Sequence, residues 1–468
     1  MKLKKYIKYL FCSAACVVAM GSCSDWLEVK PSNQIAADEM FSKEEGFKSV
    51  LTGVYTNMTE TSSYGRELTF GAMDYLAQYW VNPNQYSAYF AMATYDYKTS
   101  EAMNLVDPIW NNQYNSIANL NDMLSYIDIN KKVFTSENVY AIIKGEALAL
   151  RAYLHFDMLR AFAPYNFGTG KDNTDKWLPY AEEYTKNTKE SLTNADFAKK
   201  ILTDIESAAG LLKSDPIYTG EPINDTYFTN RIFHLNYYAV KALAARVYMY
   251  VGNKEKAAEC AEEVVSAQTG KGLFAWVNID DVTHTNDAER DRLFASEHIF
   301  ALNMRNLADN ISAFVGLENQ MNTIKLQKGR AIFEGIAEYR EKFVDNNSFC
   351  TKFNQPDGAS SNAVSSFLRR MPMLRISEMY YILAECNSDI SYLNVVRAHR
   401  GIVTDLDASA NFEAELKKEY EKEFIGEGQF FFFNKRKGNS TINSKVGGYT
   451  LHMPQTEIDF GSRPRPTI

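Results

Sequence analysis

The sequence predicts a mainly α-helical protein with one domain, in which tetratricopeptide-like helix pairs alternate with long irregular loops. Apolar residues recur at three- and four-residue steps in many separate segments, which is the pattern of an amphipathic helix. Residues 235–266 contain two such segments around Gly252, and their many alanines allow close antiparallel packing. Other stretches, above all residues 60–108, lack this period and are rich in tyrosine. No linker rich in Pro, Gly or Ser divides the chain, which favours a single domain.

The composition excludes several classes of protein. The chain has 468 residues, of which 46% are hydrophobic and 23% charged, so it can bury a large core. Its 24 glycines and 12 prolines are too few for a collagen or a low-complexity chain. The formal net charge is −8, which makes the protein a poor partner for phosphate backbones. We therefore expect no nucleic acid as a partner.

The first residues have the pattern of a lipoprotein signal peptide. A lysine-rich start up to Lys8 precedes an apolar run over residues 9–20, which at about 12 residues is too short to span a bilayer. A Gly-Ser pair then precedes Cys23, and this order resembles a bacterial lipobox, in which the cysteine is acylated. A plain secretory signal with a chance cysteine is the alternative. The predicted organisation is a signal peptide over residues 1–22, a lipid-anchored tether over 23–40 and the helical domain over 41–468.

Helices and loops follow one another along the domain. Periodic segments predict helices over residues 47–58, 110–124, 136–162, 194–212, 235–266, 373–386, 392–400 and 412–424. A short apolar run over residues 299–302 predicts a strand. Polar or irregular stretches predict loops over residues 168–187 and 355–366 and an irregular tail after residue 438. Residues 60–108 are predicted to form either an aromatic-rich loop layer or packing between helices.

The sequence contains no motif that predicts catalysis, a cofactor or a metal ion. G-x-S-x-G, H-E-x-x-H, G-x-G-x-x-G and Walker patterns are absent. His155 lies inside a predicted helix and is expected to be structural, while His284 lies in an aspartate-rich loop without the spacing of a calcium site. Beyond Cys23 the cysteines are odd in number, and we expect buried thiols rather than a redox pair at Cys260 and Cys386.

Several segments, taken together, resemble the SusD/RagB family of nutrient-binding lipoproteins. The most specific is the helix Glu146-Ala147-x-x-Leu150-Arg151-Ala152-Tyr153-x-x-Phe156-Asp157. Other segments similar to the family follow in the same order along the chain: Cys23-Ser24-Asp25-Trp26-Leu27, Tyr114-x-x-Ile117-x-x-x-Asn121, Ala242-Leu243-x-Ala245-Arg246, Ser296-Glu297-x-Ile299-Phe300, Arg375-x-x-Glu378, Leu393-Asn394-x-Val396-Arg397-x-x-Arg400-Gly401, Glu423-Phe424-x-Gly426-Glu427-Gly428 and Met453-Pro454-x-x-Glu457.

This resemblance implies a function at the bacterial cell surface. Members of the family are lipid-anchored to the outer membrane, facing outward, and cap a SusC-like TonB-dependent barrel. They capture glycans or, in some members, peptides, so an oligosaccharide is the expected ligand and a peptide the alternative. Their tetratricopeptide-like helices pack against the barrel and surface loops hold the ligand. A surface glycan hydrolase is a further alternative, although the missing motifs count against it. An adaptor that binds only proteins is another, which fits a helical array but not the loop aromatics.

Aromatic residues in the loop segments are the candidate ligand contacts. Sugar rings have apolar C–H faces that stack on aromatic side chains, and their hydroxyls seek amide and carboxylate groups. The candidates are Tyr79, Trp80, Asn84, Tyr86, Tyr89 and Trp276. The alternative for Trp80 and Trp276 is a packing role, because large aromatic residues are usually buried. Arg151 and Asp157 are expected to join helices rather than to bind ligand.

Overall fold

A computed structural model describes residues 32–168, 174–312, 323–335, 337–354, 369–442, 445–446, 448–461 and 463. In this part of the chain we number seventeen α-helices: α1 Ser32–Met40, α2 Glu44–Met58, α3 Ala72–Leu76, α4 Ala88–Thr94, α5 Ser100–Ile127, α6 Glu137–Phe162, α7 Asn194–Leu211, α8 Pro216–Thr219, α9 Tyr237–Tyr250, α10 Lys254–Lys271, α11 Ile279–Val282, α12 Leu307–Ser312, α13 Ile376–Asn387, α14 Ser391–Ala398, α15 Phe412–Glu423, α16 Gln429–Arg436 and α17 Gln455–Phe460. The predicted helical class is confirmed.

Strands are few and short in the described residues. They form three antiparallel pairs: β1 Lys176–Pro179 with β2 Ser191–Thr193, β3 His298–Asn303 with β4 Arg370–Arg375, and β5 Thr441–Ile442 with β6 Lys445–Val446. The strand predicted over residues 299–302 is therefore present. Residues 373–375, predicted as helix, belong instead to β4, because pairing with β3 satisfies their backbone groups before α13 begins.

The long helices form an array in which each packs against the next. The order of contacts is α5, α6, α7, α9, α10, α13 and α14. Helix α6 lies at the centre, because α2, α5, α7 and α9 all contact it and its residues from Gly145 to Phe162 are buried on every side. The predicted α9–α10 pair is confirmed: Gly252 takes a φ of +83° in the turn, and Ala245, Ala257 and Ala261 are fully buried between helices.

Two element boundaries in the structure differ from those predicted. The residues that we predicted as tether include helix α1, whose Asp38 accepts a 2.9 Å hydrogen bond from the hydroxyl of Tyr126. Helix α5 begins at Ser100, ten residues before the predicted start, because the hydroxyl of Thr99 caps it by accepting from Ala102 N–H. Residues 60–108, predicted as a loop layer or as packing between helices, thus contain α3, α4 and the start of α5.

Buried ion pairs join the elements that the family motifs mark. Arg151 donates two 2.7 Å bonds to Asp204 of α7, as the predicted scaffold role requires. Asp157 accepts from the Tyr64 hydroxyl at 2.6 Å. The largest group lies in the C-terminal half around the carboxylate of Glu423, and we call it the Glu423 cluster. Its members are Glu297, Arg340, Lys352, Arg375, Arg400, Glu419, Glu423 and Glu427.

Candidate ligand-binding surface

Three of the predicted ligand contacts lie in the core. Trp80 is 1% exposed and its indole N–H donates to the carbonyl of Phe70 at 2.8 Å. The hydroxyl of buried Tyr79 donates to the carbonyl of Glu421 at 2.7 Å, and that of buried Tyr89 donates to Glu67 at 2.8 Å. These side chains cannot stack on a surface ligand, because protein groups surround their rings and satisfy their polar atoms. The prediction that they bind ligand is corrected: they are packing residues.

Asn84 and Tyr86 remain at the surface, on a turn between these buried rings. Tyr86 is 76% exposed, the most exposed tyrosine among the large exposed hydrophobic residues of the described chain. The side-chain oxygen of Asn84 accepts from Tyr86 N–H at 3.0 Å, and its carbonyl accepts from Ser87 N–H at 2.8 Å. The hydroxyl of Ser87 then caps α4 by accepting from Tyr89 N–H. This Asx turn fixes the backbone from which Tyr86 projects.

A second segment from a distant part of the sequence supports this turn. Val81 N–H donates to the carbonyl of Lys325 at 2.9 Å, and Gln327 N–H donates to the carbonyl of Tyr79 at 2.7 Å. Leu326 in turn donates its N–H to the carbonyl of Ser348 at 2.8 Å. Three irregular segments therefore form one layer below the exposed tyrosine.

Trp276 lies against other parts of the fold. Its ring is half-buried, stacks on the imidazole of His399 at 4.5 Å and contacts the ring of Tyr380 at 5.1 Å. The guanidinium of Arg400 lies 5.5 Å from the same ring. Its neighbours are helices α13 and α14 rather than the Asn84 turn, so the six predicted residues do not form one site. A ligand role for Trp276 stays a prediction.

A large concave surface lies among the helices of the N-terminal half of the array. It is a groove of about 1370 Å³ between α1, α5, α6 and the segment after β1. We call it the α5 groove; it is lined by Asn121, Ser125, Tyr126, Ile129, Tyr184 and Lys186, among others. A further cavity of about 400 Å³ continues from it along α5 to α17, where Trp110 and Phe460 line it. Sequence reasoning did not identify this groove.

Family-motif residues build the floor of the α5 groove. Asn121 donates to the carbonyl of Ala181 at 2.9 Å and accepts from Arg151 at 2.9 Å. The hydroxyl of Tyr114 donates to the carbonyl of Pro179 at 2.9 Å. These bonds hold the segment after β1 on α5 and leave Tyr184 58% exposed and Ile129 76% exposed at the rim. The motif Tyr114-x-x-Ile117-x-x-x-Asn121 could have indicated the groove, but not its partner segment.

The chain matches a known family model and is similar to solved structures. Residues 25–249 match the family model SusD-like_3, described as starch-binding and associating with the outer membrane. A SusD superfamily protein from Bacteroides thetaiotaomicron VPI-5482 has a similar structure, with a TM-score of 0.69 at 18% identity, over 90% of this chain and 100% of that one. Nearly half of the chain thus matches a SusD-like family model, and the SusD superfamily structure has the same fold.

Structures of glycan- and carbohydrate-binding proteins share the fold. The surface glycan-binding protein A of B. thetaiotaomicron, in complex with laminarihexaose, matches with a TM-score of 0.65 at 17% identity, over 90% of this chain and 99% of that one. A SusD-like carbohydrate binding protein from Bacteroides vulgatus ATCC 8482 matches with a TM-score of 0.63 at 20% identity, over 84% of this chain and 83% of that one. No curated protein matches the chain.

Among the described residues, the histidines and carboxylates form no candidate metal centre. The one grouping of three acidic side chains is that of Glu44, Glu45 and Asp225, and the Lys48 ammonium contacts all three at 2.5–3.1 Å. His284 is exposed and lies 3.4 Å from Glu289. His155 is buried and bonded on both ring nitrogens, as the structural role predicted for it requires.

Proposed function

We propose that this SusD-family protein is a surface lipoprotein that binds nutrient oligosaccharides and acts as the lid of a SusC-like TonB-dependent outer-membrane transporter. The observation that carries the proposal is the likeness in fold, over nine-tenths of the chain, to a surface glycan-binding protein in complex with laminarihexaose. The family description, starch-binding and associating with the outer membrane, supports the same role. The protein binds its ligand without chemical turnover.

The ligand contact that we propose is the Asn84 turn. Tyr86 offers a ring face to solvent, and the Asx turn holds the backbone beneath it before any ligand arrives. A preorganised aromatic platform loses little conformational entropy when a sugar ring stacks on it. The Asn84 amide lies two residues away and can bond to sugar hydroxyls through its N–H₂ group.

The transporter contact that we propose is the α5 groove. The resemblance implies that the tetratricopeptide-like helices of the fold pack against the barrel, and this groove of about 1370 Å³ lies between three of the helices. Its rim exposes Ile129 and Tyr184, while Asp122 and Lys186 supply charge of both signs. A mixed surface of this kind, with apolar anchors inside a polar rim, is typical of protein–protein interfaces.

Two substitutions test the ligand contact and the transporter contact independently. We expect Tyr86→Ala to weaken affinity for the best-binding member of an oligosaccharide panel at least tenfold, without lowering the melting temperature, because the ring is exposed. Tyr184→Ala, a matched loss of an exposed tyrosine, should leave that affinity unchanged but reduce recovery of the barrel in mild-detergent purification. Titration calorimetry and co-purification from native membranes measure the two effects.

Three results would contradict the proposal. Binding of peptides but of no oligosaccharide in the panel would overturn the ligand class. An unchanged oligosaccharide affinity in Tyr86→Ala would overturn the proposal that Tyr86 contacts the ligand. Release of smaller sugars from the bound oligosaccharide, abolished by one carboxylate substitution, would show a hydrolase.

A further inference from the structure

The layer of three segments below Tyr86 has an outer face as well as a buried one. Two antiparallel bridges define its register: Trp80 pairs with Leu326, and Lys325 pairs with Phe349. The side chains of Trp80 and Leu326 point into the core, where both are buried. Successive side chains of an extended segment alternate between its two faces, and paired residues share a face. Lys325 and Phe349 therefore lie on the outer face, where both are half-buried.

The ring of Phe349 supports the side chain of Lys325. The Lys325 ammonium lies 5.3 Å from the centroid of this ring, which is the distance of a cation–π contact. Backbone hydrogen bonds of 2.8 Å, donated by Leu326 and Cys350, hold the two segments together on either side of the pair. The ring and the ammonium are thus kept together by the register of the backbone, before any ligand binds.

The described part of the protein does not neutralise the charge of Lys325. None of the described carboxylates lies within 4 Å of its ammonium. The next two cations along the chain differ in this respect. Lys328 forms an ion pair with Glu421 at 2.6 Å. Arg330 forms one with Glu341 at 2.7 Å. In a chain of net charge −8, the Lys325 ammonium is therefore a positive group that remains available to a ligand.

Exposed amides flank this ammonium. Gln327 lies two residues after Lys325, and Asn347 lies two residues before Phe349; both side chains are exposed. Because the two segments are antiparallel, both amides lie beyond the same end of the Lys325–Phe349 pair. The Oδ1 atom of Asp345 accepts from the N–H groups of Asn347 and Phe349, at 2.8 and 2.9 Å. One carboxylate oxygen of Asp345 is thus used inside its own turn, which fixes the backbone of Asn347.

We propose that the oligosaccharide bound by this protein is anionic, and that Lys325 binds its carboxylate or sulfate group. This inference rests on the glycan-binding function proposed above and names the class of glycan. An ammonium forms charge-assisted hydrogen bonds with an anionic group, and these are stronger than its bonds with a neutral hydroxyl. Gln327 and Asn347 bind neighbouring hydroxyls of the same ligand through their amides.

This subsite lies within reach of the ligand contact at Tyr86. Val81 N–H donates to the carbonyl of Lys325 at 2.9 Å, so these two residues are direct neighbours. Five residues separate Val81 from Tyr86 along the chain, and they span at most about 18 Å. An oligosaccharide of several units can therefore contact both Tyr86 and Lys325.

Matched pairs of oligosaccharides test the importance of the ligand's charge. Titration calorimetry compares oligogalacturonate with its carboxyl-reduced form, and a sulfated galactan oligosaccharide with its desulfated form. We expect wild type to bind the anionic member of one pair at least tenfold more tightly, and that pair identifies the group as carboxylate or sulfate. Raising sodium chloride from about 50 to about 500 mM should reduce this preference. Neutral members that bind as tightly would overturn this inference and leave the glycan-binding function standing, whereas binding of peptides alone would overturn both.

Substitutions test whether the preference depends on Lys325. Lys325→Gln should lower the affinity for the preferred anionic oligosaccharide about tenfold and abolish the preference. It should lower the melting temperature by less than about 2 °C, because only the contact with a ring is lost. Lys325→Arg keeps the charge and should keep the preference. Lys328→Gln removes the same charge three residues away and, as the control, should also keep it. An unchanged preference in Lys325→Gln, or an equal loss in Lys328→Gln, would refute the site.

Discussion

His155 makes the stability of the fold depend on pH. Its Nε2 accepts from Ala181 N–H at 3.1 Å, so Nδ1 carries the proton that bonds the carbonyl of Arg151 at 2.9 Å. Burial, and then the positive charge of Arg151, lower the pKa of His155 from 6.5 to about 3. Below pH 6.5 the imidazole of His155 is protonated in the unfolded chain but stays neutral in the folded protein. The free energy of unfolding therefore falls as the pH drops from 6.5 towards 3.

We predict a loss of about 2 kcal/mol between pH 6.5 and pH 5 from this residue alone. Urea unfolding at both pH values measures the loss. His155→Phe should be less stable at pH 6.5, because Ala181 N–H loses its acceptor, but should show a smaller fall towards pH 5. His284→Gln, in a loop where the side chain is 42% exposed, is the control and should keep the wild-type slope. An equal slope in His155→Phe would contradict the assignment.

At the scale of single residues, the sequence predicted the structural role of residues in helices better than the solvent exposure of aromatic residues outside them. Arg151 and His155 lie in a periodic helix, so their structural roles followed from the helix itself. In the non-periodic stretch no pattern separates Trp80, which is buried, from Tyr86, which is exposed. The difference depends on Leu326, which pairs with Trp80 from a distant part of the chain.

The Glu423 cluster joins β4 and α15 to the segments next to β3 and α14, and we predict that removing one of its charges strongly destabilises the fold. Burial alone would raise the pKa of Glu423, but the guanidinium groups of Arg400 and Arg375 outweigh it and hold that pKa well below its usual range. Glu423→Gln leaves buried arginines without a counter-charge, which costs about 3–5 kcal/mol. Denaturant unfolding measures this cost. Glu413→Gln, which breaks an exposed pair with Lys437, should cost less than about 1 kcal/mol; an equal loss in both would contradict the prediction.

At the scale of elements, the sequence predicted which helices form but not where each of them begins. The periodic helices α6, α7, α9 and α10 were all predicted, since their apolar faces are long and regular. The ends of α5 and α13 were missed, because Thr99 and the pairing of β4 with β3 decide them. A cap depends on one side chain, and strand pairing depends on a segment far away in the sequence, so periodicity reports neither.

At the scale of the whole molecule, the helical array followed from the order of the family-like segments. The α5 groove did not, because three elements and the segment after β1 must first be assembled around Asn121. Its walls come from residues 37 to 186. A concavity of this kind is a property of the packed array, which local sequence patterns do not contain.

Attachment to the membrane is the last property of the whole molecule that can be tested. Cys23 lies outside the described residues, and within them we find no helix with the length and hydropathy needed to cross a bilayer. The Gly-Ser-Cys order at residues 21–23 leads us to predict that acyl groups on Cys23 provide the attachment. More than one chain is needed, because a single chain binds only marginally. Labelled fatty acid should enter the wild-type protein, and Cys23→Ala should be unlabelled and leave the membrane fraction with an unchanged melting temperature. Cys260→Ala controls for the loss of a thiol and should stay labelled and membrane-bound. If wild type carries no lipid while Cys23→Ala remains with the membrane, attachment depends on another contact, and the α5 groove becomes the first surface to mutate.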